Sequence, residues 1–267
     1  MPVRSLILDM DGVLWHDSLP IGDLPAIFAE IRKLGLRVVF ATNNATKTVE
    51  QFVEKLADFG VEASPRQIVT SATATAHFLK QQHPRGGCVY VVGETGLIQI
   101  LNEAGFRNGV QNPLAVVAGM DRGITYRKLK TAAMLVRAGV PFIGTNPDRT
   151  FPTPEGLAPG AGTILAAIEA ASDVAPRIIG KPSPLMYRFA LERLGTSASE
   201  TMIVGDRLET DIAGAQALGS PCALVLSGVS TNAEAEAWQP APQLIATDLA
   251  EVLAKWRWRA FPSSEER

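Results

Sequence analysis

Short apolar runs of strand length alternate along this chain with helix-period patterns, and glycine separates most of the pairs. That alternation marks α/β units with parallel strands, because a crossover helix must carry the chain back before the next parallel strand can start. The first unit reads as a strand over 3–8, a helix over 24–34, Gly35 as the stop, and a strand over 37–41. Helices are expected at 48–59 and 72–82, and His83-Pro84-Arg85-Gly86-Gly87 reads as a linker. The pattern then restarts: strand 88–92, helix 97–104, strand 115–118, helix 126–137, strand 141–144. A Pro/Gly-rich loop over 145–162 leads into a helix at 163–172. Beyond Pro176 come strand 177–179, helix 184–194, strand 201–204, a helix near 212–218, strand 223–226 and a strand–helix pair within 243–255.

Composition narrows the function. With 267 residues the chain can form one large or two modest domains, each with its own core, and a formal charge of −2 argues against a dedicated nucleic-acid or anionic-membrane surface. No apolar run reaches the length of a membrane span, and Leu6 to Leu8, cut off by Asp9, is too short for a signal peptide, so a cytoplasmic protein is expected. His16, His77 and His83 form no metal cluster, and Cys88 and Cys222 form no disulfide framework; both cysteines read as reduced thiols in apolar strands. Trp256-Arg257-Trp258-Arg259 reads as helix-end packing with snorkelling arginines, not as a nucleic-acid contact, and 263–267 as a frayed end.

Functional groups in parallel α/β proteins collect where strands end. Four strand ends carry polar groups that belong together: Asp9-Met10-Asp11-Gly12, Thr42-Asn43-Asn44, Gly180-Lys181-Pro182, and Gly205-Asp206 with Asp211 five residues on. Three or four carboxylates on one rim repel one another without a cation, and hard oxygen ligands without imidazole point to Mg²⁺. A lysine and a hydroxyl-plus-amide turn opposite such an ion make a cradle for a phosphoryl group. The constellation reads as phosphoryl transfer.

These four motifs, in this order, resemble those of the haloacid dehalogenase-like (HAD) superfamily, and Ala41-Thr42-Asn43-Asn44, Thr145-Asn146-Pro147-Asp148 and Gly180-Lys181-Pro182-Ser183-Pro184 resemble its NagD-like phosphatase branch. The resemblance implies a Rossmann-like parallel-sheet core at 1–84 and 177–267, with an α/β cap inserted at 85–176. It implies Asp9 as nucleophile and Asp11 as general acid and base. It also implies Mg²⁺ on the Asp9 carboxylate, the Asp11 carbonyl and Asp206, with Asp211 behind them. Thr42 and the amides of Asn43 and Asn44 would hold phosphoryl oxygens, and Lys181 would balance their charge.

Within the superfamily, the presence of Asp11 favours phosphoester hydrolysis, since a dehalogenase has no leaving oxygen to protonate. The expected substrate is a small phosphomonoester, with a nucleotide, sugar or aryl leaving group. Asn146, Asp148, Arg149 and Phe151 of the 145–162 loop are the candidates for contacting it. The branch's habits also imply a homodimer through the cap. Alternatives are a phosphomutase or phosphotransferase of the same superfamily, and a phospholigand-binding module without turnover.

Overall fold

The computed structural model describes residues 3–153 and 155–256. The tetrapeptide that begins at Trp256 lies outside them after its first residue, as does the segment 263–267. The chain divides into two compact units, one drawn from residues up to Thr42, Glu50–Val69 and the chain from Tyr187 on, the other from Asn43–Val49 and Thr70–Met186.

The first unit is built on a six-stranded sheet in the order Leu244–Ala246, Cys222–Val225, Thr201–Gly205, Ser5–Leu8, Arg37–Thr42, Ile68–Thr70. Ser5–Leu8 runs parallel to both of its neighbours, Ser5 facing Thr201 on one side and Arg37 on the other. Every residue of Ser5–Leu8 is buried, which explains a continuous apolar run instead of alternation. The chain lays strands outward from Ser5–Leu8 in one direction, then returns to its other side with Thr201–Gly205 and continues outward. The order therefore reverses between these two strands, the switch point where open α/β sheets bind ligands.

Helix Leu24–Lys33 shows how local chemistry sets the elements. Asp23 caps it by accepting the Ala26 N–H at 3.1 Å, and Leu24, Ile27, Phe28 and Ile31 form its buried stripe. Gly35 ends it at φ +67°, where Leu36 N–H closes back onto the Ile31 carbonyl.

The second unit has a five-stranded sheet in the order Arg177–Ile178, Phe142–Gly144, Val116–Ala118, Gly87–Val92, Phe106–Asn108, with parallel pairings throughout. Helices Tyr126–Arg137 and Ala161–Ser172 pack together beside it, around Val92, Val116, Val136, Phe142, Leu165 and Ile168. An antiparallel ribbon, Thr150–Thr153 with Gly156–Pro159, completes the unit.

Several elements differ from the sequence reading. The strand at 177–178 joins the second sheet through Phe142–Gly144, so Lys181 follows a strand of that sheet, not of the first. The segment expected as a loop over 145–162 contains the ribbon, whose prolines hide its strand character. Ile68–Thr70, Phe106–Asn108 and helix Asn232–Ala237 carry no sequence signal long enough to show a period. Both cysteines are free thiols, Cys222 buried and Cys88 half-buried. Among the described residues no helix is long and apolar enough to cross a membrane.

Candidate active site

In the first unit, the switch-point strands deliver Asp9 and Asp206 from their carboxyl ends, tied together by Asp9 N–H donating to the Val204 carbonyl at 2.9 Å. Asp211 joins them from a single π-helical turn, Leu208–Ile212. One carboxylate oxygen from each of Asp9, Asp206 and Asp211 lies within 4.8 Å of the others. Among the described residues no histidine or cysteine joins this group.

Glycines make the approach possible. A methyl group at Gly205 would overlap Cβ and Cγ of Asp211, and one at Gly228 or Gly12 would overlap the Asp206 carboxylate. Gly12 also needs its freedom for φ +81°. Asp206 is aimed by the 228–230 loop: Val229 N–H donates to its Oδ2 at 2.8 Å, and its carbonyl accepts from Ser230 N–H at 3.0 Å. Asp211 accepts from Arg207 N–H at 3.2 Å.

Asp206 and Asp211 are only 4% and 1% exposed. Two buried carboxylates beside a third are costly as bare anions, and an all-oxygen donor set at this spacing matches what a hard divalent cation requires. Asp211, expected behind the ion, thus stands in the same cluster as Asp9 and Asp206. Asp11 is not one of these three carboxylates. It is exposed, and its Oδ1 accepts the indole N–H of the fully buried Trp15 at 2.8 Å. Thr42 ends the Arg37–Thr42 strand at 3% exposure.

The second unit gathers the other expected residues around Asn43. The Asn43 carboxamide grips the Lys181 backbone from both sides: Oδ1 accepts its N–H at 2.8 Å and Nδ2 donates to its carbonyl at 3.0 Å. The same Nδ2 donates to Asp148 Oδ2 at 3.1 Å. The Asn43 carbonyl accepts from Ser71 Oγ at 2.7 Å and from Asn146 Nδ2 at 2.9 Å. Asn146 in turn accepts Asp148 N–H through Oδ1 at 3.2 Å and is 5% exposed. Both Asn146 and Asp148 therefore spend polar atoms on building this turn. Lys181 is 3% exposed, and an ammonium buried that far is stable only with anionic company.

Asn44 closes its own turn, Oδ1 accepting from Thr46 N–H at 2.9 Å and from its hydroxyl at 2.8 Å. Phe151 lies on the ribbon with the Arg122 guanidinium 5.8 Å from its ring centroid, and Arg122 Nη1 donates to both carboxylate oxygens of Glu94. At Gly160-Ala161-Gly162, Gly162 N–H donates to the Asp148 carbonyl at 2.8 Å, so this helix start serves the chain itself.

Sequence reasoning missed Trp15, Ser71 and the 228–230 loop. The available signal for Trp15 was its position four residues after Asp11, with an indole N–H that needs an acceptor once buried. Nothing local marks Ser71 or Val229, because each acts through its backbone or a distant partner.

A parallel α/β sheet with a carboxylate cluster at its switch point defines a protein built for anionic or cation-assisted chemistry. A family model described as haloacid dehalogenase-like hydrolase matches residues 6–107, and a HAD-hydrolase-like model matches residues 178–252. The acid sugar phosphatase of Staphylococcus aureus (strain NCTC 8325 / PS 47) is 37% identical over 254 residues, covering 94% of this chain and 97% of that one. The structure of NagD from E. coli K-12 superposes with a TM-score of 0.88 at 37% identity, covering 94% of this chain and 98% of that one. That of glycerol phosphate phosphatase from Mycobacterium tuberculosis, in complex with magnesium, gives 0.87 at 34%, covering 94% of this chain and 76% of that one. The chain belongs to the haloacid dehalogenase-like hydrolases, in their NagD-like phosphatase branch, and is a phosphoric monoester hydrolase.

Proposed function

We infer that the chain hydrolyses small phosphomonoesters with Mg²⁺ through a phosphoryl group carried on Asp9. The observation that carries this reading is the Asp9, Asp206 and Asp211 cluster at the switch point, with Asp11 two residues beyond Asp9. Asp9 and Asp206, with the Asp11 carbonyl, would hold Mg²⁺, Asp211 standing in the same carboxylate cluster, and the ion would supply positive charge against a phosphoryl oxygen and against the carboxylates themselves.

In the first step an Asp9 carboxylate oxygen forms a bond to phosphorus, the ester P–O bond breaks, and Asp11 gives its proton to the departing oxygen. In the second step Asp11, now a carboxylate, takes a proton from the water that attacks phosphorus and releases Asp9. Thr42 and the amides of Asn43 and Asn44 bind phosphoryl oxygens. Lys181, oriented by the Asn43 carboxamide, supplies charge to the same group.

Residues 1–84 and 179–267 are assigned to the catalytic core, and 85–176, extended by the paired strand Arg177–Ile178, to the cap. The second sheet, drawn from Gly87 to Ile178, supports that division. Asn146 and Asp148 are assigned to shaping the turn that carries the specificity loop, and Phe151 to meeting the leaving group. Dimerisation through the cap and a cytoplasmic location complete the proposal.

The test is hydrolysis of p-nitrophenyl phosphate by the purified protein. Turnover is expected with Mg²⁺ and is expected to disappear with chelator and in Asp9→Asn. Phospholigand binding without turnover across sugar, nucleotide and glycerol phosphates would overturn the reading in favour of a binding module.

A further inference from the structure

The Asp11–Trp15 hydrogen bond reaches beyond the four motifs. Trp15 is 0% exposed, and a buried indole N–H left without an acceptor costs about 1–3 kcal/mol, so its bond to Asp11 Oδ1 at 2.8 Å is a structural necessity for the indole. The loop between them is tightly wound: Leu14 N–H donates to the Met10 carbonyl and Gly12 N–H to the Trp15 carbonyl, each at 2.8 Å. The ring itself is fixed. Phe59 packs on it with centroids 5.7 Å apart, and the Lys55 ammonium, which donates to the Asp17 carbonyl at 2.6 Å, sits 4.1 Å from the ring centroid. A cation over the indole face draws electron density from the ring and makes its N–H a better donor.

Filling this part of the core requires only an aromatic ring. A carboxylate on an exposed loop, by contrast, gains a defined rotamer only if something holds it, and proton transfer depends on that geometry. We propose that Trp15 is the positioning residue of the general acid: its N–H occupies Asp11 Oδ1, leaving Oδ2 to carry the proton that passes to the leaving oxygen.

The inference rests on the assignment of Asp11 as acid, and the experiment separates the two. p-Nitrophenolate departs without a proton, whereas the alkoxide of glycerol phosphate needs one as its bond to phosphorus breaks. kcat/KM, which stops at the first irreversible step, is measured for both esters in the native enzyme, Asp11→Asn and Trp15→Phe. Trp15→Phe is expected to lower kcat/KM for glycerol phosphate about tenfold or more, short of the roughly 10²- to 10⁴-fold that a general acid supplies in full, and that for p-nitrophenyl phosphate by less than about threefold. Asp11→Asn should show the same asymmetry, more strongly.

Equal losses on the two esters in Trp15→Phe, or none, beside an asymmetric Asp11→Asn, would overturn the role of Trp15 and leave Asp11 as acid. Symmetric losses in Asp11→Asn would remove the acid assignment and the inference with it. Should Trp15→Phe fail to fold, benzothienylalanine at position 15 keeps the indole shape without the N–H, and the same comparison decides.

Discussion

Asn43 shows what a single residue's neighbourhood adds to its place in a motif. In the sequence it is one amide after Thr42, and its backbone is the part expected to act. In the fold its carboxamide holds Lys181 and Asp148, partners 138 and 105 positions away that no local pattern connects to it. Gly205 was legible only as a residue beside Asp206, yet its missing Cβ is what lets Asp211 reach the cluster. Gly205→Ala is expected to cost about 1–3 kcal/mol from overpacking, read by urea denaturation. It should also raise the Mg²⁺ concentration for half-maximal activity about 10-fold or more, as displaced metal-site supports do. Unchanged Mg²⁺ dependence would mean that Asp211 does not contribute to ion binding.

At the scale of elements, legibility followed length and punctuation. Helices Leu24–Lys33, Tyr126–Arg137 and Pro184–Leu194 match the sequence expectation to within a residue, because each has an apolar period and a cap, proline or glycine at an end. Ile68–Thr70 was invisible, since three residues leading straight into helix Ser71–Gln82 cannot show alternation. The start of that strand is instead held from a distance. Arg193 Nη1 donates to the carbonyls of Arg66 and Ile68 at 2.9 Å each, while its guanidinium rests 4.4 Å from the Phe189 ring centroid. Burial first, and then the neighbouring Arg66, lower the Arg193 pKa from its usual value. Arg193→Met keeps the aliphatic stem and removes these bonds. A loss of about 1.5–3 kcal/mol in denaturant unfolding is expected, toward the lower end because the group is partly hydrated. A variant as stable as the native chain would show that the turn before Ile68 holds itself.

For the whole molecule, alternation of strand and helix was enough to reveal a parallel α/β class, and the second sheet opens with Gly87–Val92, where the pattern restarts. The sheet that takes Arg177–Ile178 was not legible, because a two-residue strand follows either sheet's rules equally well until its partner is known. Each unit has its own buried centre: Leu6, Ile7 and Leu8 in one, Val116, Phe142 and Ile168 in the other. Separate cores of this kind make a single all-or-none transition the exception, so calorimetry should resolve two unfolding events. Ile7→Ala and Ile168→Ala each delete a large buried side chain and should cost about 2–5 kcal/mol in the core they belong to. Ile7→Ala is expected to lower one transition and Ile168→Ala the other, each leaving its companion close to the native position. If both substitutions shift one common transition equally, the two cores unfold as a single cooperative structure, and the division into units describes packing without describing stability.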